Sequence, residues 1–187
     1  MELVSEAIIF AVKAHDGMRR RQAEIPYILH PIEAAAIVGS ITSKQEVIAA
    51  AALHDVVEDA GISMKEIEER FGKRVAELVA SETENKRDYL PAESTWKVRK
   101  EEAIQILQST TDLDVKILYL GDKLANLRAI YLEWEKEGHS VWRRFNQKDP
   151  AWQAWYYRTI ANNICELSDR PAWQEFHRLI QTIFAEV

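Results

Sequence analysis

The chain of 187 residues is 47% apolar and 29% charged, with 24 Lys+Arg set against 30 Asp+Glu for a net charge of −6. That balance suits a globular domain with a proper core and excludes disorder as a description of the whole chain. The acidic excess argues against a nucleic-acid partner, and no apolar run approaches the roughly 18 residues of a membrane span. One cysteine, Cys165, excludes an internal disulfide and a cysteine-based zinc knuckle. The start, Met1 to Glu6, lacks the basic region of a secretory signal, so a cytoplasmic location is expected. The six glycines never stand closer than eleven positions, which rules out a Walker loop and a dinucleotide-binding glycine cluster.

Helical periodicity dominates from the first residues onward. Leu3, Ala7, Phe10, Ala11 and Ala14 form one stripe of a helix that ends near Gly17, and Arg19-Arg20-Arg21 follow in a loop. Pro31 suits the opening of a helix over 32–38 that Gly39 stops. Ser43-Lys44-Gln45-Glu46 reads as a capping box for one continuous helix through Ala49–Ala52 to about Asp59, closed by Gly61. A second box, Ser63-Met64-Lys65-Glu66, opens a short helix that ends at Phe71-Gly72. Further helical patterns cover 73–84, 94–109, 113–136, 150–167 and 171–185. Strand alternation is almost absent, so the fold class is all-α, a single helical bundle over 1–187. The stretches without a period, 18–29, 85–93 and 137–149, are where ligand contacts are expected. Trp134, Trp142, Trp152, Trp155 and Trp173 crowd the last third as core filler, or else as a pocket wall or a subunit contact. A homo-oligomer therefore stays open.

The segment Leu53-His54-Asp55-Val56-Val57-Glu58-Asp59 carries the chemistry. On a continuous helix, positions four apart share a face, which sets His54 over Glu58 and Asp55 over Asp59. Three carboxylates within five residues repel one another unless a cation or a buried proton compensates. The plain alternative is a solvated acidic helix end, which the helix dipole disfavours. His30 precedes Pro31, either as a ligand or as an ordinary histidine at a helix start. Asp122 and Asn126, four apart, interrupt a pattern of leucines and isoleucines, and a buried carboxylate there needs a partner. Lys123 is one candidate partner. A divalent cation shared by His30, His54, Asp55 and Asp122 is the other, and it answers all three oddities at once.

The order His30, His54-Asp55, Asp122 resembles that of the HD-domain phosphohydrolases, and within them the hydrolase domain of the RelA/SpoT enzymes and the small alarmone hydrolases. The matching pieces are Ala14-His15-Asp16-Gly17, Pro26-Tyr27-Ile28-Leu29-His30-Pro31, Ala52 to Asp59, Phe71-Gly72 with Val75-Ala76-Glu77-Leu78-Val79, and Asp122-Lys123-Leu124-Ala125-Asn126-Leu127-Arg128. They define a core over about 3–130, followed by the tryptophan-rich helices of 131–187. The resemblance implies one Mn²⁺ on His30, His54, Asp55 and Asp122, and removal of the 3′-pyrophosphate from guanosine 3′,5′-bis(diphosphate) by an activated water. Glu58 and Asp59 match the family's acidic pair, Asn126 the ribose or phosphate contact, and Arg21 the arginine beside the base. The basic residues of Trp96-Lys97-Val98-Arg99-Lys100 are candidates for the distal phosphates, Lys97 first among them, or else a solvated helix face. Tyr156 and Arg158 are weaker candidates. The family's Arg-Lys-Ser-Gly-Glu-Pro-Tyr segment reads Arg21-Gln22-Ala23-Glu24-Ile25-Pro26-Tyr27 here, which opens another nucleotide, such as NADPH in a 2′-phosphatase reaction, as an alternative substrate. A catalytically retired nucleotide-binding module is a third reading. The chain is too short for an added synthetase domain, so hydrolysis without synthesis is expected.

Overall fold

Helix α8 (Leu113–Glu137) is the axis on which the other elements are hung. Every residue from Asp114 to Ala125 is buried, as expected of a helix covered on all sides. The computed structural model describes residues 1–20 and 25–187. Among these, the chain forms α1 (Leu3–Ala14), α2 (Leu29–Ile41), α3 (Gln45–Leu53), α4 (Val56–Ala60), α5 (Met64–Phe71), α6 (Lys73–Glu82), α7 (Ala92–Ser109), α8, α9 (Pro150–Asn163) and α10 (Pro171–Ile183). Two 3₁₀ segments, Gly138–Arg144 and Cys165–Leu167, join the last helices. The described residues contain no β-strand beyond one isolated bridge, Arg19 to Pro26.

Helices α2, α3, α6 and α10 pack directly on α8, while α1 covers α3 and α7 packs on α9. The most extensive helix contact is between α2 and α8. A methyl group on Gly121 would come within 2.5 Å of Val38 Cγ2 and 3.1 Å of the Ala34 carbonyl oxygen. No other residue type fits there without separating the helices, and they carry His30 and Asp122. The alanines of α3 serve the same end: Ala49 to Ala52 are all buried, so α3 lies close to its neighbours and delivers His54 inward.

Several boundaries differ from the sequence reading. Helix α2 continues through Gly39 to Ile41, because the burial of Ala34, Ala35, Ile37 and Val38 outweighs the roughly 1 kcal/mol a helical glycine costs. Ser43 caps nothing: α3 begins at Gln45 with Lys44 as its flank, and the Lys44 amide bonds the Thr42 hydroxyl instead. The second capping residue is in place, with Ser63 Oγ accepting from the Glu66 amide at 3.2 Å. The helix expected to run unbroken to Asp59 divides at His54-Asp55. Asp55 adopts φ −95°, ψ −7°, the sparsely populated bridge conformation in which many active-site residues sit. Of the tryptophans in the last third, Trp142 is buried and stacks on Phe184, with ring centroids 5.3 Å apart. The other four are half-buried against the core.

Candidate metal centre and its cleft

Three polypeptide segments bring four side chains together: among the described residues His30, His54 and Asp122 group closely enough to share one cation, and Asp55 lies beside the two histidines. His30 comes from the first turn of α2, His54 and Asp55 from the break between α3 and α4, and Asp122 from the middle of α8. The two imidazole Nε2 atoms face each other at 3.2 Å. Asp122 Oδ1 lies 3.0 Å from His30 Nε2 and 3.5 Å from His54 Nε2, and Asp55 Oδ2 lies 3.5 and 3.1 Å from the same atoms. First-row divalent ions hold nitrogen and oxygen ligands at about 2.1 Å, which sets adjacent ligand atoms about 3 Å apart. The donor set fits such an ion. Imidazole and carboxylate donors together give the mixed nitrogen and oxygen chemistry those ions prefer, a cation taking the place of the protons on the facing Nε2 atoms.

The surrounding groups prepare the ligands. His54 Nδ1 lies 2.8 Å from the Ala51 carbonyl oxygen; a proton held on Nδ1 would leave Nε2 to serve as the ligand atom for a cation. Asp122 divides its two oxygens between tasks. Oδ2 accepts from Lys123, while Oδ1 faces the histidines and accepts from Asn126 Nδ2 at 2.6 Å. Both partners considered for Asp122 in the sequence therefore have room: the lysine takes one oxygen and leaves the other to the histidines. Glu82 accepts from the far side of Lys123 at 3.1 Å. Tyr27 Oη lies 2.7 Å from both Asp55 Oδ2 and Asp59 Oδ2, tying a candidate ligand to a candidate acid.

The titration behaviour follows from this crowding. Burial opposes the charged form of His54, but the Asp55 and Asp122 carboxylates overcome it and raise its pKa well above the ordinary 6.5. Burial likewise opposes ionisation of Asp55 and Asp122. The facing imidazoles, joined by Lys123 for Asp122, win and hold both below the usual range. Glu58 moves the other way: burial, then the charges of Glu84 and Asp55, raise it, and Lys86 offsets only part of that. Burial pushes Glu82 up to about 7 despite the attraction of Lys123.

The four side chains form the floor of a cleft of about 160 Å³ whose walls include Glu58, Asp59, Arg99 and Lys100. Lys86 binds Asp59 and stands 3.5 Å from Glu58, whose Oε2 also accepts from the Glu84 amide at 3.1 Å. Glu84 in turn accepts from Arg99 at 2.9 Å and Lys100 at 2.6 Å. A second cavity of about 610 Å³, lined largely by apolar side chains, opens beside the cleft. Arg20 and Asn126 line both spaces and bond each other at 2.6 Å.

Other site residues expected from the sequence are placed as follows. Lys97 is not brought to the cleft: its ammonium sits 4.5 Å over the Trp152 ring and pairs with Glu101. Tyr156 is buried behind the cleft, its ring 5.0 Å from the Lys100 ammonium and its hydroxyl without a hydrogen bond. Arg158 bonds the carbonyls of Phe184 and Val187 at the end of the chain. Arg21 falls within 21–24, outside the described residues. Arg20, Tyr27, Glu82, Glu84 and Lys86 escaped the sequence reading. Of the basic run on α7, Arg99 and Lys100 reach the cleft in place of Lys97, the first choice. Trp96, Arg99, Ala103 and Leu107 share one buried stripe of α7, whereas Lys97 and Glu101 lie on the exposed face.

The all-helical fold thus groups His30, His54 and Asp122 around one cation-sized point, with Asp55 beside the histidines. The model of the HD domain family matches residues 7–152, and the chain belongs to that family. A guanosine-3′,5′-bis(diphosphate) 3′-pyrophosphohydrolase of Aquifex aeolicus is 35% identical over 140 residues, covering 75% of this chain and 19% of that protein. The bifunctional (p)ppGpp synthase/hydrolase SpoT of Escherichia coli K12 is 34% identical over 126 residues, 67% of this chain and 18% of that one. The chain thus spans less than a fifth of the length of these curated relatives. Two solved structures match along most of their length. A Listeria monocytogenes protein has a TM-score of 0.72 at 35% identity, covering 84% of this chain and 99% of that one. A metazoan ortholog of SpoT, described as hydrolysing ppGpp, has a TM-score of 0.72 at 26% identity, covering all of this chain and 96% of that one.

Proposed function

We propose that this chain hydrolyses guanosine 3′,5′-bis(diphosphate) to GDP and pyrophosphate, using one divalent cation, Mn²⁺, held by His30, His54, Asp55 and Asp122. The observation that carries the reading is the grouping of His30, His54 and Asp122 around one cation-sized point, with Asp55 3.1–3.5 Å from both imidazoles, on the floor of a cleft walled by acids and cations. The relatives named above as 3′-pyrophosphohydrolases, and the metazoan ortholog of equal extent, supply the substrate class.

A cation bound there supplies Lewis-acid polarisation of the phosphate and lowers the pKa of water. The chain's own residues do the rest. Arg99, Lys100 and Lys86 receive the negative charge of the 3′-pyrophosphate, with Glu84 holding the first two in place. Asp59, fixed by Tyr27 and Lys86, accepts a proton from the attacking water. The water oxygen joins the phosphorus attached to the 3′-oxygen, and the bond between them breaks. Glu58, whose burial favours its protonated form, gives a proton to the departing 3′-oxygen. Asn126 and Arg20 stand at the seam between the two spaces, where the ribose crosses from the cleft to the apolar cavity that takes the base. Purified protein with Mn²⁺ should release one pyrophosphate and one GDP per substrate molecule. Bound Mn²⁺ without pyrophosphate release would reject the reading.

A further inference from the structure

The larger cavity is sized for a nucleoside, and its chemistry is uneven. Ile25, Ile130, Val141 and Phe145 make most of it apolar, yet among the described residues that line it Glu133 is the one acid. Glu133 lies on α8 seven residues beyond Asn126, on the same face of the helix, about 10 Å further along its axis. That distance matches a nucleoside whose sugar sits at Asn126 and whose far base edge reaches Glu133. The carboxylate is held in place: Oε2 accepts from Arg144 at 3.0 Å and Oε1 faces Lys136 at 3.4 Å. An ionised carboxylate offers about four lone pairs, so these two contacts leave acceptor capacity on each oxygen.

We propose that Glu133 sets the base selectivity of the site, favouring guanine over adenine, an inference that rests on the nucleotide-binding role given to this cavity above. Guanine presents N1–H and N2–H₂ as adjacent donors on its Watson–Crick edge, which a carboxylate accepts directly. Its neighbouring O6 acceptor then meets the flanking cations, Lys136 and Arg144. Adenine reverses this pattern. Its N1 lone pair opposes the carboxylate and its N6 amino group opposes the cations, so the site repels the wrong base as well as attracting the right one.

Titration calorimetry with GDP and ADP tests the assignment apart from catalysis. Wild-type protein should bind GDP about 10- to 100-fold more tightly than ADP. Glu133→Ala should bring the two within about threefold, and Glu133→Gln, which keeps the volume, should also narrow the gap. Arg144→Ala removes one flanking cation and one of the two contacts on the carboxylate but keeps the carboxylate itself, so it should narrow the preference by less than Glu133→Ala does. Equal binding of GDP and ADP by wild type, an undiminished preference in both Glu133 variants, or a loss in Arg144→Ala equal to that in Glu133→Ala would each overturn it. The same proteins with Mn²⁺ and guanosine 3′,5′-bis(diphosphate) separate the two claims. A Glu133-dependent GDP preference without pyrophosphate release supports the base reader and removes the hydrolase reading.

Discussion

The floor of the cleft and its rim are built in opposite ways. The floor is made of side chains projecting from, or just beyond, helices whose other residues are core: His30 beside Ala34, His54 after the buried alanines of α3, and Asp122 within the leucines of α8. The rim draws on Arg20 and Tyr27, on Glu58 and Asp59 of α4, on the short segment 83–91 and on one face of α7, and many of its charges are satisfied by each other. Glu84 holds Arg99 and Lys100, and Lys86 holds Glu58 and Asp59. The floor is thus fixed by packing. The rim is fixed by ion pairs that a polyanionic substrate can rearrange.

Substitutions should break this contrast in a graded way. Asp122→Asn removes a floor carboxylate and is expected to lower kcat by about a thousandfold, with Mn²⁺ affinity falling in the same protein by titration calorimetry. Tyr27→Phe takes away the hydroxyl shared by Asp55 and Asp59. We expect kcat to drop about 10- to 100-fold with KM nearly unchanged, since the residue orients groups and does not bind phosphate. On the rim, Arg99→Ala should raise KM about tenfold, whereas Lys97→Ala should change it less than twofold. Equal effects of these two in steady-state kinetics would remove the distinction between the faces of α7.

A separate effect concerns stability and pH rather than turnover. Folding raises Glu82 from 4.5 to about 7, so the folded protein binds more protons between those values. The stabilisation is complete below about pH 4.5 and is lost as pH rises through about 7, an effect on the order of 3 kcal/mol. In thermal melts of metal-free protein, Glu82→Gln should flatten the fall in Tm between pH 5 and 8. An unchanged slope would show that Lys123 already keeps Glu82 ionised.

The same contrast explains what could be read from the amino-acid order. His30, His54, Asp55 and Asp122 stand out because a polar group inside an apolar helical pattern demands a partner. The long helices likewise follow from periodicity and Pro or Gly punctuation. The break at His54-Asp55 does not: residues 45–60 keep good helical character throughout, and the division arises where tertiary packing places the pair. Tyr27 looks like any loop tyrosine until the fold brings Asp55 and Asp59 to its hydroxyl. Lys97 and Arg99 differ by two positions and both carry a positive charge; the stripe of Trp96, Ala103 and Leu107 puts Arg99 on the packed face of α7 and Lys97 off it, a spacing that ranks Arg99 ahead.

The contact at Gly121 has a consequence for how such a centre changes under mutation. Because backbone meets side chain and carbonyl there with no room for a methyl group, α2 and α8 behave as one welded piece next to Asp122. Donors mounted on that piece keep their spacing when exposed side chains are exchanged, which leaves the rim free to be retuned for other phosphate patterns. A single added carbon at the weld would pry His30 and Asp122 apart together, disabling the protein without altering any group that touches a ligand.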